Sequence, residues 1–91
     1  MSVVWKDATS YSASDKDRTP RTWDLKIPEI GRVVVTRWKG GDSSKWYLVC
    51  YSLGIDYDAL AGFTPEEAQD EAVGVIYRKL GAMLKAMENL F

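Results

Sequence analysis

The residues Thr64-Pro65-Glu66-Glu67 constrain this chain more than any other stretch. A threonine before a proline, with a glutamate three positions on, is the pattern of a helix start. The threonine hydroxyl accepts from the third helical amide, the proline sits where an N–H has no helical partner, and the glutamate carboxylate reaches back. Behind it, Ala68, Ala72, Val75, Ile76, Leu80, Met83, Leu84, Met87 and Leu90 recur at helical spacing. Acids crowd the first turns, and Arg78, Lys79 and Lys85 come later, as the helix dipole prefers. The pattern predicts one long amphipathic C-terminal helix over residues 64–90, about 39 Å long at 1.5 Å per residue. Phe63, just ahead of the cap, is expected to pack on Ala68 as a hydrophobic staple.

Such a helix needs a surface to cover, and the preceding residues supply one. Trp23, Leu25 and Ile27 alternate with Asp24 and Lys26, which predicts a half-buried strand over residues 22–27. Pro28-Glu29-Ile30-Gly31 gives the turn, and residues 32–38, with valines at 33, 34 and 35, give the strongest strand. Gly40-Gly41-Asp42-Ser43-Ser44 is a hairpin loop leading to a third strand over residues 45–53. The fold class is therefore α+β: a three-stranded antiparallel sheet, four-stranded if residues 1–5 join it, packed on one long C-terminal helix. One domain spans residues 1–91, with an arm or loop over 1–21, the sheet over 22–53 and the helix over 64–90. Residues 54–63 read as a connecting loop. Residues 7–22, polar except for Tyr11, read as a mobile arm.

Closing the second hairpin symmetrically about residue 42 sets Trp38 against Trp46, Thr36 against Leu48 and Val34 against Cys50. The helix-facing core then holds Trp23, Leu25, Ile27, Val33, Val35, Tyr47, Val49 and Tyr51, and a one-residue slip exchanges the faces. A strand of this length spans only about 25 Å. The helix thus outruns the sheet, and Met83, Leu84, Met87, Leu90 and Phe91 must fold back, meet the N-terminal segment or meet another subunit. Gly74 and Gly81 lie seven apart on one stripe, and each costs about 1 kcal/mol in a helix interior relative to alanine. A close approach by a strand or second helix would explain them, and so would a kink.

The inventory for chemistry is thin. Histidine is absent, which removes the commonest general base and metal ligand. The single Cys50 lies in the apolar run Trp46-Tyr47-Leu48-Val49-Cys50 and reads as a small buried hydrophobe. Gly40-Gly41-Asp42-Ser43-Ser44-Lys45 lacks the spacing of a phosphate loop, and Asp56 with Asp58 is too short a pair for a calcium loop. No cofactor and no metal are expected. No leader-like segment or membrane-length apolar run is legible, so the expected compartment is the cytoplasm.

Two surface constellations stand out. Six acids and no Lys or Arg occupy residues 53–77: Asp56, Asp58, Glu66, Glu67, Asp70 and Glu71. They read as an acidic patch able to dock on a basic partner surface. Arg37, Trp38, Lys39, Lys45 and Trp46 flank the hairpin loop as a basic and aromatic cluster, suited either to a protein hot spot or to stacking on single-stranded bases. Residues 1–41 carry a net charge of +3 and residues 42–91 a net charge of −4. That asymmetry suits oriented docking.

The layout of Trp23, of residues 31–38, of residues 46–54 and of the Thr64-Pro65-Glu66-Glu67-Ala68-Gln69 start, over residues 22–90, resembles small orphan proteins of phages and prophages, anti-CRISPR and other anti-defence proteins among them. The resemblance implies a stoichiometric inhibitor that binds a host protein or protein–nucleic-acid complex, and it carries no site residue across. The function expected is thus that of a non-enzymatic protein-binding module. The alternatives are a single-strand nucleic-acid binder using Trp38 and Trp46, and a structural homodimer.

Overall fold

The computed structural model describes residues 4–9, 20–37 and 44–91. Among these described residues, five strands form one antiparallel sheet in chain order: β1 (Lys6–Asp7), β2 (Thr22–Ile27), β3 (Gly31–Thr36), β4 (Tyr47–Cys50) and β5 (Ile55–Ala59). One α-helix, α1 (Pro65–Glu88), follows among the described residues and crosses the sheet over its central strand β3. The α+β class and the long C-terminal helix match the sequence reading. The strand number does not, because the sheet gains β1 at one edge and β5 at the other.

β5 lies in the stretch read as a connecting loop. Its alternation, Ile55 and Tyr57 against Asp56 and Asp58, was present, but two aspartates in five residues argue against a strand by propensity. The chain reaches it through a 3-10 turn, Tyr51–Leu53, closed by Gly54 at φ 72 with its N–H on the Tyr51 carbonyl. β1 and the residues beside it pin both ends of the stretch read as a mobile arm. The Thr9 hydroxyl accepts from the Arg21 and Thr22 amides at 2.8 and 3.0 Å, and the Ala8 amide donates to the Thr22 carbonyl. Residues 10–19 lie outside the described residues, as do Trp38, Lys39 and the loop tip at 40–43.

The β2–β3 hairpin turns at Pro28-Glu29. The Ile30 amide donates to the Ile27 carbonyl at 3.1 Å, and Glu29 takes φ 71, the positive angle a type II turn requires at that place. Its register sets Leu25 against Val33 and Trp23 against Val35, so these four share one face of the sheet, as the alternation predicts.

The β3–β4 register is one residue away from the symmetric closure. Val35 stands opposite Leu48, Val34 opposite Val49 and Thr36 opposite Tyr47. Because side chains alternate with period two, the shift turns β4 over: Leu48 and Cys50 join the helix-facing core, and Tyr47 and Val49 face away. All four β4 residues are buried, so the strand itself carries no alternation that fixes its register. The core is Leu25, Val33, Val35, Trp46, Leu48, Cys50, Leu53, Ile55 and Leu60 under Ala68, Ala72 and Ile76. Alanine at two of the three buried helix positions lets α1 lie close to the sheet.

The helix start forms largely as read. Thr64 caps it, its hydroxyl accepting from the Glu67 amide and donating to the Glu67 carboxylate, both at 3.1 Å. The staple does not form: Phe63 is 79% exposed while Ala68 is buried, because the Phe63 carbonyl is held by Trp46 Nε1 at 3.0 Å and the ring points to solvent. α1 runs unbroken to Glu88, so neither Gly74 nor Gly81 marks a break between helices.

Candidate functional site

With α1 over one side, the other side of the sheet is uncovered by any described element. Alternation places Thr22, Asp24 and Lys26 of β2 there, beside Arg32, Val34 and Thr36 of β3 and then Tyr47 and Val49 of β4. Lys6 joins them opposite Asp24. Tyr51 and Tyr57 complete a shallow groove of about 290 Å3 whose floor is Val34 and Val49.

Local geometry holds these side chains. Arg32 Nε donates to Asp24 Oδ2 at 2.9 Å across the two strands, which orients an otherwise exposed guanidinium and leaves its outer N–H groups facing solvent. Asp24 Oδ1 is buried without a hydrogen-bond partner, so this carboxylate is a donor short. The Thr22 and Thr36 hydroxyls meet at 2.9 Å. Between the pairs Leu48–Asp58 and Cys50–Ile55, Val49 faces two residues of β5, Asp56 and Tyr57, which is a β-bulge. Tyr57 sits in that bulge at φ 51, a left-handed conformation that costs a non-glycine residue about 1–2 kcal/mol. The bulge re-aims Tyr57 toward the groove, where Tyr51 stands 70% exposed. Two tyrosines and an ion-paired arginine around an apolar floor have the composition of a binding hot spot.

The residues singled out from sequence are divided by the fold. Glu66, Glu67 and Asp70 are exposed on α1, and Asp56 and Asp58 are exposed on the edge strand β5. Glu67 is engaged in the helix cap. Glu71 is half-buried and structural: its carboxylate accepts from the Ala61 amide at 2.9 and 3.0 Å and from the Gly62 amide at 2.9 Å, tying down the β5–α1 loop. Of the helix acids, Glu66 and Asp70 thus have no structural task.

The basic and aromatic cluster is also redistributed. Trp46 is 1% exposed, a core residue whose indole N–H is bonded and whose ring lies under the Arg37 guanidinium at 4.4 Å. It offers no face to a nucleobase, because the β4 register carries it to the helix side. Lys45 is exposed, and Cys50 is fully buried among apolar neighbours.

Sequence reasoning missed the groove because it missed β5. The signal was the pair Tyr51 and Tyr57 on either side of Gly54, which become neighbours once the chain reverses there. Among the described residues no cluster of His, Cys, Asp and Glu is able to hold a metal ion, and no helix is long and apolar enough to cross a membrane. Compared with protein-family models, curated proteins and solved structures, the chain matches none of them.

Proposed function

We propose that this chain is a non-enzymatic, cytoplasmic protein-binding module that docks through the uncovered sheet face. In this reading it acts as the resemblance to anti-defence proteins implies, by occupying a surface of a larger host complex. The observation that carries the reading is Tyr57, held at a costly backbone angle in a bulge that serves to place its ring beside Tyr51 and Arg32. The acids Glu66 and Asp70 lie on the helix, away from this face. The cations Lys6, Lys26 and Arg32 beside Tyr51 and the half-buried Tyr57 also suit single-stranded nucleic acid, and the test separates the two.

Tagged wild-type protein and the double variant Arg32→Glu/Tyr57→Ala, both checked for folding by near-UV circular dichroism, are used for capture from host lysate. The expected result is a discrete polypeptide, retained after nuclease treatment and lost with the double variant. A nuclease-sensitive capture that falls steeply with salt overturns the reading in favour of nucleic acid. Capture unchanged by the double variant removes the sheet face from it.

A further inference from the structure

The C-terminal half of α1 leaves the sheet and stands in solvent. From Tyr77 onward only Leu80 is partly covered, and Tyr77 at 79%, Leu84 at 62% and Phe91 at 100% are open to water. Three turns of helix in which Leu80 alone is partly covered are marginal in water, since most helix stability in proteins comes from packing of the apolar face.

The apolar residues along this stretch are ordered. Val73, Tyr77, Leu80, Leu84, Met87 and Phe91 alternate steps of four and three, the 3.5-residue repeat of a coiled-coil seam. Met83 and Leu90 widen one flank of this seam, and Gly74, Gly81 and Glu88 form the other. The sheet uses Ala68, Ala72 and Ile76, with Val75 and Leu80 packed partly against the same core, so Leu80 is shared between the core and the seam.

We propose that a second copy of this chain covers the seam, its helix antiparallel to the first, with the twofold axis beside Gly81 and Ala82. In that register Leu80 meets Leu84 of the second copy, Tyr77 meets Met87 and Val73 meets Phe91, so every seam position is apolar against apolar. Four observations select this occupant. The seam and its apolar flank expose roughly 700–900 Å2 per chain, when about 150–250 Å2 for each aromatic side chain, and less for each aliphatic one, is weighted by its exposure. That exceeds the roughly 300–600 Å2 of the largest patch on an ordinary monomer and matches the roughly 800 Å2 per partner of a stable interface.

The glycines are the second observation. Gly81 has nothing within 4 Å of the place its Cβ would take, so nothing among the described residues requires it. Across the axis it faces Gly81 of the second copy, where the absent side chains allow close backbone approach. Charge is the third. Arg78 Nη1 lies 3.7 Å from where a Gly74 Cβ would stand, and Glu88 of the second copy reaches that same place. The fourth is a cleft of about 290 Å3 beside Val73, lined by Trp5, Glu66, Gln69, Asp70 and Val73, which receives the fully exposed Phe91.

The test uses the full chain. Light scattering across the micromolar range is expected to show a monomer–dimer equilibrium, and Leu84→Lys, a change at an exposed position, weakens it by about 100-fold or more. Under mild oxidation Gly81→Cys links to its own copy, whereas Gly74→Cys does so only when mixed with Glu88→Cys, which fixes the antiparallel register; Cys50 is buried and does not compete. Arg78→Glu and Glu88→Arg each weaken the dimer, and combining them restores it. A chain monomeric at all concentrations, association indifferent to Leu84→Lys, or self-linking at position 74 instead of 81 overturns the proposal.

Discussion

Glu71 is where a surface-looking acid and a structural one are told apart. Its carboxylate takes two loop amides in three contacts of 2.9–3.0 Å, from Ala61 and Gly62. Hydrogen bonds to a charged partner contribute roughly 1.5–3 kcal/mol each. The loop amides are partly solvated, and water takes them over when the carboxylate is removed, so the low end of the range applies. Glu71→Ala is therefore expected to cost about 2–3 kcal/mol. Glu71→Gln keeps one acceptor oxygen for both amides but turns an NH2 group toward Ala61, and costs about 1 kcal/mol. Glu66→Gln and Asp70→Asn, on the same helix but free of structural contacts, change stability by less than about 0.5 kcal/mol. Urea unfolding followed by tryptophan fluorescence reads all four. With a slope near 1–1.5 kcal/mol per molar, Glu71→Ala lowers the midpoint by about 1.3–3 M. A midpoint within about 0.3 M of wild type, or equal damage from Glu66→Gln, would show that the loop clamp contributes nothing.

Two further outcomes follow from the packing. A Cβ at Gly62 would stand 2.8 Å from the Ala68 nitrogen and 2.9 Å from the Glu67 backbone carbon, so Gly62→Ala forces the loop off the helix and costs about 1–3 kcal/mol in thermal or urea unfolding. Trp46→Phe removes the indole bond to the Phe63 carbonyl and weakens the stack with Arg37, a loss of about 1–2 kcal/mol that leaves the far-UV spectrum unchanged.

What the sequence by itself determined is what local chemistry decides. The cap at Thr64, the helix from Pro65, the turn at Pro28 and the facing of Trp23, Leu25, Val33 and Val35 each follow from a few adjacent residues, because capping, proline geometry and period-two alternation act within a turn or a strand. The surplus helix end was legible for the same reason: helix rise and strand rise fix the two lengths independently of any contact. β4 was different. Its four residues are apolar throughout, so either face can be buried, and only pairing with β3 and closure of the helix decided that Leu48 and Cys50 go inward and Tyr47 and Val49 outward. The candidate groove depended on that decision and on β5, whose aspartates are tolerated because they sit on an edge. It also depended on a bulge, whose extra residue is set by the partner strand. Trp46 and Glu71 show the same division: the residue types were plain in the sequence, but burial and hydrogen-bond partners come from segments distant along the chain, and these turned an expected contact surface into core and clamp.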